Sequence, residues 1–248
     1  MAGRPFLRPL LVWVGGSLAL ALAVALCFLL APFLGGPGAF WAVAPRYIRA
    51  MAWAFGIRRE LDGWGGLSAS IREGSQPVIF VGNHTSLLDP PLLISTLPGR
   101  PVFIAKRELA RVPFLGWVIW LADFIFIDRT DPQAARGSLK LAADCIRAGQ
   151  SVMTFPEGTR SRDGRLLPFK KGTFHLALAA GVPIVPLAIR GGLGILPRGT
   201  WRVQGGGYRI RVGQPLRPED FPSPEAFLQA TEAAVRGLLE PAGVSSRP

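Results

Sequence analysis

Cysteine and histidine are scarce: the 248 residues hold two cysteines, Cys27 and Cys145, and two histidines, His84 and His175. Two thiols cannot build a disulfide scaffold, and with two imidazoles they cannot close a Cys/His zinc site without help from carboxylates. Both cysteines therefore read as small apolar residues, and no metal centre is expected. Three signatures are also missing: the G-x-S-x-G turn of serine hydrolases, the G-x-x-x-x-G-K-[ST] phosphate loop and the dinucleotide-binding G-x-G-x-x-G. Their absence removes three large enzyme classes as first readings. Charged side chains amount to 18% against 49% hydrophobic, which excludes a disordered chain. The charge that is present lacks balance, 28 Lys and Arg against 16 Asp and Glu, a net +12. Such an excess suits a polyanionic partner: nucleic acid, an anionic membrane or phosphorylated small molecules.

The first quarter of the chain narrows that choice. Between Arg8 and Arg46 no residue is charged, and residues 10–31 would span about 33 Å as a helix, one hydrocarbon thickness. A cleaved signal peptide fits poorly: the apolar run is too long for a signal core, and Ala42-Val43-Ala44 lies far beyond its end with Pro45 directly behind. Pro32 and the cluster Gly35-Gly36-Pro37-Gly38 are expected to break this helix. A second segment, 40–57, mixes Trp41, Tyr47, Trp53 and Phe55 with Arg46 and Arg49, a composition suited to headgroup depth. The expectation is a membrane-anchoring helical segment over 1–60, with a buried helix at 10–31 and an interfacial one at 40–57, followed by one domain over 61–248. Arg46, Arg49, Arg58 and Arg59 outnumber Arg4 and Arg8, which places that domain on the cytoplasmic side of the cell (inner) membrane. A nucleic-acid-binding domain would cluster basic and aromatic side chains on one element and has no use for an apolar anchor, so no nucleic-acid partner is expected.

The remaining chain reads as α/β, a mostly parallel sheet flanked by helices. Short β-branched runs at 77–81, 102–104, 124–127, 152–155 and 184–189 alternate with helical patterns. Asp89-Pro90, Asp131-Pro132 and Ser223-Pro224 mark helix starts, the side chain capping free amides and proline fitting the first turn. Gly149 and Gly181 are placed at helix ends, and Gly205-Gly206-Gly207 at a turn between late strands.

Three stretches carry chemistry. Asn83-His84-Thr85-Ser86-Leu87-Leu88-Asp89 follows a strand and precedes a helix, where open α/β sheets place functional loops. Residues five apart diverge by about 140° on a helix, so His84 and Asp89 meet only if the chain turns between them. Taken alone, the pair also fits a loop histidine beside a helix-capping aspartate. Phe155-Pro156-Glu157-Gly158-Thr159-Arg160-Ser161 also follows a strand, and Arg162, Arg165, Lys170 and Lys171 come next. Such a loop can present amides and guanidinium groups to a phosphate, or be a solvated basic turn. Phe126-Ile127-Asp128-Arg129 ends a third strand with a charged pair that could be structural.

In this order, and with Lys106-Arg107-Glu108-Leu109, Pro113-Phe114-Leu115-Gly116, Pro168-Phe169-Lys170-Lys171-Gly172 and Val182-Pro183-Ile184-Val185-Pro186, these motifs resemble the glycerolipid acyltransferase family. The resemblance covers about residues 75–190 and is nearest the bacterial group that acylates 1-acyl-sn-glycerol 3-phosphate. It implies transfer of an acyl group from acyl-CoA or acyl-carrier protein to the sn-2 hydroxyl of lysophosphatidic acid, giving phosphatidic acid. His84 would be the general base and Asp89 its orienting partner. Glu157, Gly158, Thr159 and Arg160 would bind the acceptor, with Arg129 and Lys106 as further phosphate ligands. A carboxylate beside a phosphate repels it, so Glu157 is expected to orient the loop or the acceptor hydroxyl. The partners implied are the phospholipid bilayer, a lysophospholipid acceptor and the thioester donor, with no bound cofactor or metal. Two alternatives use the same motifs: acylation of another lysolipid, and a non-catalytic phospholipid-binding protein on the same scaffold. His175 matches no motif and reads as structural.

Overall fold

The computed structural model describes residues 7–112, 114–127, 132–197, 199–200 and 202–240, the side chains of 7–13 and 132–136 excepted. Pro113, Asp128, Arg129 and Asp131 lie outside the described residues, and with them the Arg129 site and the Asp131 cap. The chain opens with α1 (Leu7–Ala54), followed by β1 (Ile57–Asp62), α2 (Ala69–Glu73), β2 (Ile79–Gly82), α3 (Asp89–Thr96) and β3 (Val102–Lys106). Next come α4 (Leu115–Leu121), β4 (Ile125–Ile127), α5 (Pro132–Arg147), β5 (Val152–Thr154) and α6 (Gly172–Ala180). The series ends with β6 (Ile184–Arg190), α7 (Gly192–Ile195), β7 (Gly206–Val212) and α8 (Pro224–Leu239).

Seven strands form one sheet in the order β1-β7-β6-β2-β5-β3-β4. Every pairing is parallel except β6 with β7. The central strands are buried along their length, β2 and β5 at every residue, as expected where helices cover both faces of a parallel sheet. Because β2, β5 and β3 run the same way, the loops after Gly82, Thr154 and Lys106 emerge at one carboxyl edge, where α/β sheets build sites.

Several sequence expectations need correction. The α1 helix continues through Pro32 and breaks at Gly35, whose φ of 71° and ψ of 163° leave the helical region. Its two limbs then fold back on each other: Cys27 lies against the Ala39 carbonyl, and the Tyr47 hydroxyl donates to the Gly16 carbonyl at 3.1 Å. The second limb ends at Ala54 rather than 57, because Gly56 at φ 69° turns the chain into β1. Strand β1 is the sheet's outermost strand, paired with β7 from Ile57↔Gly206 to Asp62↔Arg211. Residues 57–60, expected in the anchor, are thus part of the sheet. Gly206 and Gly207 open β7 instead of forming a turn. The crowded glycines are their neighbours: a Cβ on Gly205 would lie 3.0 Å from the Phe55 carbonyl oxygen, and one on Gly191 would strike the Gly207 carbonyl oxygen. Ser223 caps α8 by accepting from the Ala226 amide, whereas Asp89 begins α3 without capping it. Arg49, expected at headgroup depth, and Arg59 both donate to the Ser95 carbonyl in the last turn of α3, at 3.2 and 2.9 Å, where the helix dipole favours cations.

The α1 helix is long and apolar enough to cross a membrane. Leu18, Leu22, Leu29 and Phe33 are exposed along its first limb, which marks it as a candidate membrane anchor.

Candidate active site

The loop after β2 turns back on itself so that His84 Nδ1 and Asp89 Oδ2 lie 2.8 Å apart. A buried carboxylate requires partners, and Asp89, fully buried, is given them. Its Oδ2 also accepts from the Thr85 and Ser86 amides at 2.7 and 2.8 Å, and its Oδ1 from the Tyr208 hydroxyl at 3.3 Å. This is why Asp89 does not cap α3: its oxygens are taken by the loop before the helix. A carboxylate only accepts, so the shared proton sits on Nδ1 and Nε2 keeps its lone pair. The imidazole is further held by the Phe155 ring, stacked with centroids 4.2 Å apart and planes 15° from parallel.

The second motif grips the same histidine through its backbone. Glu157 Oε1 accepts from the His84 amide at 2.6 Å, and the Ser161 amide donates to the His84 carbonyl at 2.8 Å. The other Glu157 oxygen accepts from the Leu167 amide at 2.8 Å. Both oxygens are therefore spent on the backbone, so Glu157 orients the loop. Burial raises the Glu157 carboxyl above the usual glutamate range, with the amides of Leu167 and His84 opposing the shift. Gly158 follows at φ 69°, a left-handed turn that suits glycine, and Thr159 is exposed. Arg160 is half-buried, and its guanidinium has no partner among the described residues, so it is free to meet an anion.

Lys106 ends β3, two strands from β2, and is exposed in an ion pair with Glu108 at 2.8 Å. The structure does not bring it to the dyad. Its register partner is Ile127, the last residue of β4. Lys171 is tied to Glu225 at 2.8 Å, and His175 is exposed on α6, not part of the core.

Three further groups support the site, Asn83 from the start of the first motif stretch and Tyr208 and Gly192 from outside all three. Asn83, buried, exchanges both amide groups with Ile189, its Nδ2 donating to the carbonyl at 2.9 Å and its Oδ1 accepting from the amide at 2.7 Å. That clamp sews the loop to β6. Tyr208 on β7 is fully buried; burial and the Asp89 charge push its hydroxyl well above the usual tyrosine range, so it remains a donor. Gly192 completes the wall: a Cβ there would lie 2.5 Å from Asp89 Oδ1 and 2.9 Å from Thr85 Oγ1. Nothing local in the sequence marks Tyr208 or Gly192.

Two cavities lie against the motif stretches, neither of them lined by His84 or Asp89. One of about 230 Å³ lies beside Leu88 between α3 and the open end of the α1 hairpin, lined by Gly16, Leu20, Met51 and Leu92. The other, about 310 Å³, lies behind Phe155 and Gly158, lined by Ile104, Thr154, Thr173 and Leu176 with Lys170.

Residues 67–190, the span holding all three motif stretches, match the family model described as Acyltransferase. The chain belongs to the acyltransferase family. It is 38% identical over 170 residues to a 1-acyl-sn-glycerol-3-phosphate acyltransferase of Limnanthes douglasii, covering 68% of this chain and 58% of that protein. It is 39% identical over 175 residues to the human 1-acyl-sn-glycerol-3-phosphate acyltransferase alpha, covering 68% and 60%. The matched part thus spans about three fifths of these relatives' length. The crystal structure of the LPA acyltransferase PlsC from Thermotoga maritima superposes with a TM-score of 0.71 at 26% identity, over 94% of this chain and all of that one. That superposition takes in the sheet and its flanking helices, so the expected mostly parallel acyltransferase architecture is the one observed.

Proposed function

We propose that the chain transfers a fatty acyl group from an acyl thioester, acyl-CoA or acyl-carrier protein, to the sn-2 hydroxyl of lysophosphatidic acid, forming phosphatidic acid. The observation that carries this reading is the His84–Asp89 contact at 2.8 Å, which leaves Nε2 as a free proton acceptor at the carboxyl edge of the sheet. The acceptor hydroxyl gives its proton to Nε2 as its oxygen bonds to the thioester carbonyl carbon. The resulting oxyanion collapses, the carbon–sulfur bond breaks, and the imidazolium returns the proton to the leaving thiolate. Asp89 fixes the tautomer and stabilises the imidazolium, as the acid of a catalytic triad does. The substrate hydroxyl stands where a serine would, so no acyl-enzyme is required.

Arg160 is the residue we assign to the acceptor phosphate, supported by its free guanidinium beside Glu157 and Gly158. Arg129 and Lys106 serve as further phosphate contacts, Lys106 after release from Glu108. The α1 hairpin returns both its ends toward the α/β domain, so we place it within one leaflet of the cell (inner) membrane, with the domain on the cytoplasmic side. The activity named for the relatives, acylation of a 1-acyl-sn-glycerol 3-phosphate, supports this acceptor over other lysolipids.

The test is acyl transfer by purified protein in nanodiscs, with labelled acyl-CoA or acyl-carrier protein and a panel of lysolipids, beside His84→Ala. Phosphatidic acid formed by the native chain, with a loss of about 10² to 10⁴ in rate for the variant, is the expected result. Transfer to a different lysolipid would change the acceptor and keep the mechanism. No transfer to any acceptor would overturn the reading.

A further inference from the structure

Outside α1, the exposed large apolar side chains among the described residues are Leu87, Leu141, Leu178 and a cluster of five. The five are Val112, Phe114, Leu115, Trp117 and Trp120, all on α4 or the turn leading into it. Trp117 is 52% and Trp120 68% exposed, which is unusual for the residue type that buries the most apolar area. Phe114 sits at φ 62°, a left-handed conformation rare outside glycine, and its exposed ring packs edge-on against Trp117 with centroids 5.2 Å apart. An α/β domain in water gains nothing from such a cluster.

The opposite face of α4 is pressed onto the α1 hairpin. Leu121 is buried between Cys27 of the first limb and Val43 of the second. At the bend, a Cβ on Gly36 would lie 2.7 Å from the Leu121 carbonyl oxygen, and Trp120 shares a cavity wall with Pro37, Gly38 and Trp41. The aromatic cluster thus adjoins the hairpin bend, where Phe33 is 81% exposed and Leu34 is also exposed. Along its approach lie the exposed cations Lys106, Arg107 and Arg111, with Glu108 as the one acid among them. Aromatic rings flanked by basic side chains, continuous with a membrane anchor, match the chemistry of an anionic lipid interface.

We propose that α4 and the turn before it form a second membrane-docking surface, carried by the α/β domain itself, which seats Phe114, Trp117 and Trp120 at headgroup depth in the leaflet that holds α1. This rests on the reading of α1 as a membrane anchor and extends it: two separate points of attachment would fix how the domain's carboxyl edge faces the lipid. The surface would recognise a bilayer rather than a protein because the anchor beside it already holds the domain at that height.

The test uses the full chain in vesicles of phosphatidylcholine and phosphatidylglycerol. An environment-sensitive fluorophore is attached at Trp117→Cys, at Trp120→Cys and, as a control on α6, at Leu178→Cys, with the native chain treated alike to give the background from Cys27 and Cys145. Labels at 117 and 120 should shift to the blue and be quenched by lipids brominated near the headgroup, while the label at 178 stays in water. Labels at 117 and 120 that behave like the one at 178 would overturn the proposal. So would a shift seen equally in detergent that grows with protein concentration, which would assign the surface to a second copy of the chain. The readout needs no turnover, so its failure is separate from failure of the acyl-transfer reading.

Discussion

Two regions of this molecule depart from the usual sorting of side chains, in opposite directions. At the carboxyl edge of β2 and β5, polar groups are buried: Asn83, Ser86, Asp89, Glu157 and Ser161 are all nearly inaccessible. Along α1 and α4, apolar groups are exposed, among them Leu22, Phe33 and Trp120. The first region is tolerable because its carboxylates meet donors: Asp89 has four and Glu157 two. The second is tolerable only where lipid replaces water. Buried polar groups and exposed apolar patches are the departures that carry information, and in the function we propose one kind builds the chemistry while the other places it at a lipid surface.

The contrast can be broken most severely at Asp89. Asp89→Asn keeps the shape but turns one of the two acceptor oxygens into a donor and removes the charge that balances an imidazolium; kcat should fall by about 10² to 10⁴ in the acyl-transfer assay. Tyr208→Phe removes one donor from the same carboxylate. It should cost about 1 to 3 kcal/mol in denaturant unfolding and lower kcat by less than Asp89→Asn does. A kcat unchanged by this variant would mean that the other three donors are sufficient to hold Asp89.

Glu157 sharpens the comparison through pH. A carboxyl whose folded pKa is raised favours the folded state most when protonated; that contribution is present below the ordinary glutamate range and is lost as pH rises through the raised value. The stability of the native chain relative to Glu157→Gln should therefore increase as pH falls through that window, read from unfolding midpoints at successive pH values. Activity should move the other way, since a protonated Glu157 gives up one acceptor oxygen and loosens the His84 or Leu167 amide. The smallest effect belongs to the other region: Leu22→Ser on the exposed face of α1 should change unfolding free energy in detergent by no more than about 0.5 kcal/mol. A larger loss would show that Leu22 packs against protein.

Much of this was legible along the chain because the signals are local. Five of the strands follow from β-branched apolar runs, whereas the dyad follows from the resemblance carried by the ordered motifs, since the position of His84 and Asp89 alone also fits a loop histidine beside a capping aspartate. The two strands that escaped notice, β1 and β7, show why. Ile57–Asp62 is four charged residues around a single apolar Leu61 after Ile57 and adjoins an apolar helix, and β7 begins with two glycines, so neither looks like a strand until each is paired with the other. Likewise, Pro32 does not end the helix: α1 continues past it, and only Gly35 adopts the φ that turns the chain back.

The sequence by itself determined the apolar anchor, the alternating α/β order and the identity of the groups that could move a proton, because these depend on composition and on neighbours a few residues away. Only the tertiary structure decided how they are held. Asp89 takes a donor from Tyr208, 119 positions along the chain; Asn83 is clamped by Ile189, 106 positions away; and Glu157 reaches back to the amide of His84. A buried charge must find its partners wherever packing brings them, and that pairing is a property of the folded sheet rather than of any stretch of sequence.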